Sequence, residues 1–237
     1  LGDVYKRQVI FTISFFIVDD FSKFLVHMLM HKIKFLWCFH KIHHSAEVLT
    51  PMTVFRTHPI EGVIFVLRNA ISQGAVIGIF FFISSGELSL VTVLGANLFS
   101  FIFHLLGSNL RHSHIGIRYW KWLEYIIISP AQHQLHHSIA QRHYDKNFGA
   151  TLAIWDWIFG SLNHSEDTEL LTLGVKETDI YEPHSLHSLY IKPIVQIYTI
   201  ITEMTSCYFT LEMVPSMRLF LSLIHISEPT RRYAISY

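Results

Sequence analysis

The sequence has little charge, little cysteine and no excess of either sign of charge. Asp, Glu, Lys and Arg make up 15% of its 237 residues, well below the roughly 25% of ordinary soluble domains. Lys+Arg and Asp+Glu number 18 each, so no basic field attracts nucleic acid. The two cysteines, Cys38 and Cys207, cannot form a disulfide framework and lack the spacing of a metal site. These shortages argue against a nucleic-acid-binding protein and favour a reduced site that faces the cytosol.

Apolar residues are abundant instead. They make up 51% of the chain, and the mean hydropathy is +0.35, which indicates a membrane protein. Residues 60–83 and 88–106 are each near the ~20 residues that a membrane-spanning helix needs. Arg68 weakens the first span because an intramembrane charge is costly, so it either reaches the interface or faces the protein interior. Residues 9–18 are predicted to end an earlier span, with Asp19 and Asp20 at the interface.

The short connection at residues 84–87 predicts a tight hairpin between the two spans. Two crossings return the chain to the side that it left, and the connection itself has no Lys or Arg. The basic residues lie on the other side: Lys32, Lys34, Lys41, Arg56, Arg111, Arg118, Lys121, Arg142 and Lys146. Since Lys and Arg favour cytoplasmic loops, this face is predicted to be cytoplasmic and the protein multi-pass.

Both ends of the sequence resemble translated sequencing adapters. Residues 1–8 and 221–237 are therefore predicted to be non-native, which leaves residues 9–220 as one membrane domain that is truncated on both sides. His225 lies in the second of these segments and is discarded as a ligand.

The chain contains 17 histidines, and many of them lie in short boxes. His27 and His31 are four residues apart, and residues 40–44 and 133–137 each contain His-x-x-His-His. Residues three or four apart share a helix face, as predicted for His40 with His43. The boxes together supply His27, His31, His40, His43, His44, His133, His136 and His137. Neutral imidazole binds iron, zinc, copper or nickel, and eight histidines exceed the needs of one ion, which predicts a two-metal site.

Further candidates follow the hairpin. His104 and His112 are eight residues apart, about two helical turns, so one face can present both; each is equally well explained as an interfacial polar residue, and His114 is a weaker candidate. Asp156 either hydrogen-bonds the outer nitrogen of a ligating histidine or is an N-cap or surface carboxylate. The remaining histidines without partner spacing are interpreted as solvated or core residues: His164, His184 and His187.

Four motifs together resemble the fatty acid hydroxylase / sterol desaturase superfamily. They are His-x-x-x-His at 27–31, Leu-Trp-x-Phe-His-x-x-His-His-Ser at 36–45, Ser-Pro-x-x-His-x-x-His-His at 129–137, and Asn-x-Gly with Trp-Asp-x-x-Phe-Gly at 147–160. The resemblance implies an all-α integral membrane helical bundle with a cytosol-facing histidine-rich site for two iron ions. It implies that the eight box histidines are ligands, and it leaves the choice among His104, His112 and His114 open.

The implied reaction is the hydroxylation or desaturation of a C–H bond in a lipid or sterol-like substrate. Dioxygen is the co-substrate, and two electrons come from a cytochrome, ferredoxin or reductase. One alternative is a histidine-rich membrane metal-binding or transport protein without turnover, whose ligands would lie along a path within the membrane. Another is a zinc hydrolase, although the sequence has no His-Glu-x-x-His.

Overall fold

The computed structural model describes residues 2–85, 89–165, 171–176 and 185–212. Regular structure in these residues is helical, and strand pairing is limited to two isolated bridges, Ile127 with Leu152 and Ser138 with Leu173. The all-α prediction is therefore confirmed for this part of the chain. The chain divides into two compact units, Leu1–Val175 and Lys176–Tyr237, and all the candidate ligands except the discarded His225 belong to the first.

The first unit contains the helices that carry the histidine boxes. Its described α-helices are α1 (Gly2–Lys32), α2 (Lys34–His44), α3 (Pro59–Ile83), α4 (Leu90–Arg111), α5 (Pro130–His136) and α6 (Ile154–Phe159), with 3-10 turns at Pro51–Phe55, Leu123–Tyr125 and Gln141–His143. The described part of the second unit has α7 (Leu186–Tyr190) and α8 (Lys192–Glu212), and the apolar residues 194–214 predict a helix at α8. Residues 120–128 are aromatic and apolar, which predicts an interfacial helix, but the only regular element there is the short turn Leu123–Tyr125.

Helix α1 is the element around which the first unit packs. It contacts α2, α3 and α4, and its Phe11 and Phe15 are buried against Val76 of α3 and Ala96 of α4. The rings of Phe11 and Phe80 meet edge to face at 5.1 Å, a favoured aromatic geometry. This apolar core lies in the N-terminal half of α1, so the C-terminal half is free to carry histidines.

The aspartate pair in α1, which the sequence predicts at a membrane interface, is buried inside the protein. The helix continues through Asp19 and Asp20, and both side chains are buried. Arg68 of α3 donates to Asp19 at 2.7 Å, and Trp155 Nε1 donates to Asp20 at 3.0 Å. Of the two alternatives for Arg68, the structure selects the protein interior. Both carboxylates are tolerated in the core because each has hydrogen-bond donors.

The sequence predicts a helix break at residues 37–40, ahead of the histidine box at residues 40–44. In the structure, the break between α1 and α2 lies earlier, at Ile33. Ile33 is extended, with φ −104° and ψ 114°, which redirects the chain. As a result, α2 folds back on the end of α1, and the ring of His40 lies 4.9 Å from that of His27. The ring of His44 lies 4.7 Å from that of His31.

Helix α3 is the described helix that is long and apolar enough to cross a membrane. Little of it is buried against the rest of the protein, as expected for a helix that faces lipid. The apolar part of α4 is shorter, Leu90–Ile102. The described residues thus contain one clear candidate span, and the predicted multi-pass arrangement stays a prediction.

Candidate metal centre

Nine histidines converge into two adjacent groups. Group one consists of His27, His31, His40, His44 and His136; group two consists of His43, His112, His133 and His137. Within each group, the side-chain nitrogens that can bind a metal all lie within 4.8 Å of one another. The groups touch where the rings of His44 and His137 stack at 4.3 Å. Two neighbouring clusters are the arrangement that a two-metal site requires.

Each His-x-x-His-His box is divided between the groups. His40 and His44, four residues apart, belong to group one, whereas His43 points into group two. The rings of His40 and His43 are neighbours on α2, with centroids 5.4 Å apart, as their spacing predicts, but they belong to different groups. The second box divides in the opposite sense. His136 belongs to group one, whereas His133 and His137 belong to group two.

The structure separates the three histidines that follow the hairpin. His112, the C-cap residue of α4, belongs to group two, and its Nε2 lies 3.1 Å from that of His43 and 3.0 Å from that of His133. His114 is exposed and lies outside both groups. The backbone of His104 is part of α4, but its side chain lies outside the described residues.

The orientations of the His27 and His136 rings in group one favour the binding of a cation. Nδ1 of His27 lies 2.7 Å from the carbonyl oxygen of Phe148, and Nδ1 of His136 lies 2.7 Å from that of Lys146. A carbonyl oxygen only accepts, so each Nδ1 carries the proton and each Nε2 of the neutral ring is a bare lone pair. Yet the two Nε2 atoms lie 3.0 Å apart. Two lone pairs at this distance repel each other unless both bind the same cation.

Burial keeps the rings in the form that binds metal. It lowers the pKa of His43 and of His136 to about 3, and that of His44 well below the ordinary 6.5. These rings are therefore neutral at physiological pH, as metal ligation requires. The Nε2 atoms of His40 and His44 are buried and have no hydrogen-bond partner among the described residues. The donor set therefore fits metal ions.

The two carbonyl groups that orient these rings belong to one loop, residues 144–149. Asn147 at its centre is buried, with a left-handed φ of 56°. Its side chain donates to the carbonyl oxygens of Gln132 at 3.0 Å and Asn163 at 2.9 Å, and accepts from the Asn163 N–H at 2.7 Å. Asparagine tolerates this backbone conformation better than most residues. The loop is thereby fixed to the start of α5.

Asp156 anchors the same loop from α6. Its carboxylate accepts from the backbone N–H of Phe148 at 2.8 Å and of Gly149 at 2.7 Å, and from the Ser161 hydroxyl at 2.6 Å. Burial raises the pKa of Asp156 to about 6 despite these donors. From the sequence, Asp156 was predicted either to bond directly to a ligating histidine or to have a capping or surface role. Instead, the carboxylate is buried and acts on His27 one step away, through the position of Phe148.

Glu61 lies outside the histidine boxes, and the sequence motifs assigned it no role. Its Oε1 lies 2.8 Å from Nδ1 of His40, and both side chains are buried. The sequence signal for Glu61 is a carboxylate in the first turn of a long apolar helix, because charged residues beside a membrane span are costly and mark functional sites.

A cavity of about 440 Å³ adjoins both groups. Its lining includes histidines from group one and group two, polar residues, and apolar side chains of the first unit: His27, His40, His43, His112, His133, Glu61, Lys23, Arg111, Thr57, Val54 and Phe65. Small-molecule sites commonly have about 300–1,000 Å³. A ligand of that size would lie against both groups at once.

Three histidines were predicted not to be ligands, and the two that the structure describes lie outside both groups. His164 is beside Glu124 at 3.3 Å, and His187 is exposed in α7. His184 lies outside the described residues. A further buried histidine, His58, caps α3 by accepting from the Ile60 N–H at 3.1 Å.

The fold and site define a helical protein with two adjoining histidine groups that can bind metal, beside a ligand-sized cavity. Comparison with known families gives the particular family. The sequence profile of the fatty acid hydroxylase family matches residues 12–161, more than half of the chain, and the chain belongs to this family. The resemblance stated from the motifs is thereby confirmed.

Curated relatives include lipid-oxidising enzymes. Alkylglycerol monooxygenase of Homo sapiens is 27% identical over 183 residues, which cover 75% of this chain and 37% of that protein. Ornithine lipid hydroxylase OlsE of Rhizobium tropici is 26% identical over 164 residues, 67% of this chain and 44% of that protein. The chain thus spans less than half the length of either relative. No solved structure matches it significantly.

Proposed function

We propose that this chain forms the active-site domain of a membrane di-iron monooxygenase, which hydroxylates a C–H bond of a lipid with dioxygen and two external electrons. The observation that carries the proposal is the pair of bare Nε2 lone pairs, on His27 and His136, held 3.0 Å apart in a buried cluster. Family membership supports the oxygenase class. The wider domain is taken as residues 9–220, with the flanking segments non-native.

Group one would hold one iron ion and group two the other, so the ligands are His27, His31, His40, His44 and His136, and His43, His112, His133 and His137. When bound, such a pair supplies the activation of dioxygen and the oxidation of an unactivated C–H bond. Iron suits these ligands because imidazole is among its usual donors. His104 stays a further candidate.

The protein's own contribution is orientation and the exclusion of water. The carbonyl groups of Lys146 and Phe148 hold the protons of His136 and His27 on the outer nitrogens. The lone pairs therefore point inward before any metal arrives, which reduces the reorganisation needed on binding. The adjoining cavity would hold a segment of the substrate against both groups, and small errors of position there are costly for reaction.

The substrate is proposed to be a lipid that reaches this cavity from the bilayer. The printed names of two relatives suggest alkylglycerols and ornithine lipids as first probes. The basic face of the chain supports a cytoplasmic orientation, where a cytochrome, ferredoxin or reductase would deliver electrons. Hydroxylation is favoured over desaturation because the relatives are named as a monooxygenase and a hydroxylase.

The test begins with metal analysis of protein purified in detergent without chelators. We expect two iron ions per chain. Purified protein is then supplied with a chemical or enzymatic reductant, isotopically labelled dioxygen and either probe lipid, and the product is examined by mass spectrometry. Label in a hydroxylated product supports the proposal. Zinc that iron cannot replace, together with no oxygen-dependent product, favours a transport protein or zinc hydrolase, and folded protein that binds no metal refutes the metal assignment.

A further inference from the structure

The carboxylate of Glu61 lies in a position that stability does not explain. The Glu61 side chain is 2% exposed, and its hydrogen bond goes to Nδ1 of His40, which is 3% exposed. Its second oxygen, Oε2, is buried and has no hydrogen-bond partner among the described residues. Taking a carboxylate out of water is expensive unless its charge is compensated. One imidazole N–H therefore contacts one oxygen of this buried carboxylate and leaves the other without a donor.

Other buried carboxylates of the first unit contact parts of the fold that contain no candidate ligand. Oδ2 of Asp20 accepts from Trp155 Nε1 and from the Leu152 N–H, while its Oδ1, like Oε2 of Glu61, has no hydrogen-bond partner among the described residues. Glu124 accepts from two serine hydroxyls, at 2.8 and 2.5 Å. These groups connect segments of the fold. Glu61 instead connects α3 to a candidate metal ligand on α2, and its side chain lines the cavity that adjoins both groups.

A positive charge that would stabilise the Glu61 carboxylate can bind at the opposite nitrogen of the His40 ring. Nδ1 of His40 faces Glu61, so in the neutral tautomer that Glu61 favours the free lone pair is on Nε2, which is buried in group one. A cation there would polarise the ring and strengthen the hydrogen bond to Glu61. The carboxylate in turn fixes the tautomer and raises the basicity of the ligand, which is how outer carboxylates act at metal sites.

We propose that Glu61 is a positioning residue that orients His40 and strengthens metal binding in group one. The same buried carboxylate lowers the stability of the metal-free protein. The inference rests on the proposed function, because it needs a metal in group one. It goes further by assigning a role to a residue outside the histidine boxes. It also predicts opposite effects of one substitution on the metal-free and the metal-loaded protein.

The experiment compares wild type with Glu61→Gln, which keeps the side-chain shape and removes the charge. Co²⁺ is titrated into metal-free protein in competition with a chelator and followed by visible absorption, and unfolding of the metal-free protein is followed by heating. We expect one of two metals to bind about 10–100-fold more weakly in Glu61→Gln. The melting temperature of the metal-free variant is expected to equal or exceed that of wild type.

Two further variants separate positioning from general damage. Asp20→Asn changes another buried carboxylate that contacts no candidate ligand, and it should keep metal affinity within a few-fold of wild type. In a His40→Ala background, Glu61→Gln should cause no additional loss of affinity, because a residue that acts through His40 has nothing left to act on.

Each outcome has a defined meaning. Wild type that binds no Co²⁺ refutes the proposed metal function, and the inference falls with it. Wild type that binds two ions, beside a Glu61→Gln variant of equal affinity, refutes only the role of Glu61. A Glu61→Gln protein that melts earlier or fails to fold without metal also contradicts the inference, since it shows a structural role.

Discussion

Replacing Gly149 by alanine tests whether the loop at residues 144–149 really links the fold to the metal centre. An added Cβ would lie 2.6 Å from the Leu152 carbonyl oxygen, 2.8 Å from Asp156 Oδ2 and 2.8 Å from Ile128 Cγ1. The first of these is backbone and cannot rotate away, so the loop itself must move. Overpacking of this kind typically costs about 1–3 kcal/mol.

The displacement would be transmitted to the candidate site. Phe148 precedes Gly149, and its carbonyl oxygen accepts from His27 Nδ1 at 2.7 Å. Gly149→Ala is therefore expected to lower iron content as well as stability. For a unit of this size, about 2–4 °C of melting temperature corresponds to each kcal/mol, so heating in detergent should reveal a decrease of roughly 2–12 °C.

The matched control is Gly78→Ala in α3. No atom lies within 4 Å of a Cβ added at Gly78, and alanine is favoured over glycine inside a helix by about 1 kcal/mol. We expect this variant to melt at or above the wild-type temperature with an unchanged iron content. If Gly149→Ala melts like Gly78→Ala and keeps its iron, the proposed mechanical link between the loop and His27 is wrong.

Three further predictions concern single side chains. His136→Ala and His43→Ala should each abolish turnover and lower metal content, measured by elemental analysis and product formation, whereas His187→Ala, on an exposed face of α7, should change neither. The pKa of Asp156 is raised from 3.8 to about 6, so its stabilising contribution is complete below pH 3.8 and is lost as pH rises through 6; by linkage this amounts to at most about 3 kcal/mol. Melting curves of Asp156→Asn at several pH values should lack this decline, and an identical decline in the variant would assign it to other groups. Arg68→Met should cost about 3 kcal/mol or more in thermal or denaturant unfolding, because it removes the guanidinium that is paired with the buried carboxylate of Asp19; an unchanged stability would mean that the ion pair contributes little.

Local spacing predicted much of this architecture because helices obey a fixed period. The helices α3 (Pro59–Ile83) and α4 (Leu90–Arg111) lie close to the predicted spans. Helix α5 begins at Ser129-Pro130, where the sequence predicts a helix start because proline is favoured in a first turn. The histidine boxes also identified eight of the nine clustered histidines. For these features, sequence pattern and tertiary structure agree, since both depend on which residues share a helix face.

Other features depend on contacts that no local pattern contains. The carbonyl groups of Lys146 and Phe148 orient two rings, but any residue type carries a carbonyl, so composition gives no signal for this role. The pairing of Glu61 with His40 depends on how α3 packs against α2. The burial of Asp19 and Asp20 likewise follows from partners on α3 and in the residues before α6, which are distant in sequence.

The division of each box between the groups explains why two copies of the motif are present. Group one takes two histidines from the first box and His136 from the second; group two takes two from the second box and His43 from the first. Neither group is completed by one box, and each requires α2 and α5 to lie side by side. Metal binding at either group would therefore stabilise the same helix contact, because a ligand set shared between segments couples binding to folding. The site and the packing of α1, α2 and α5 are thus one structure, and an insertion that shifts α5 by one residue should impair both groups together.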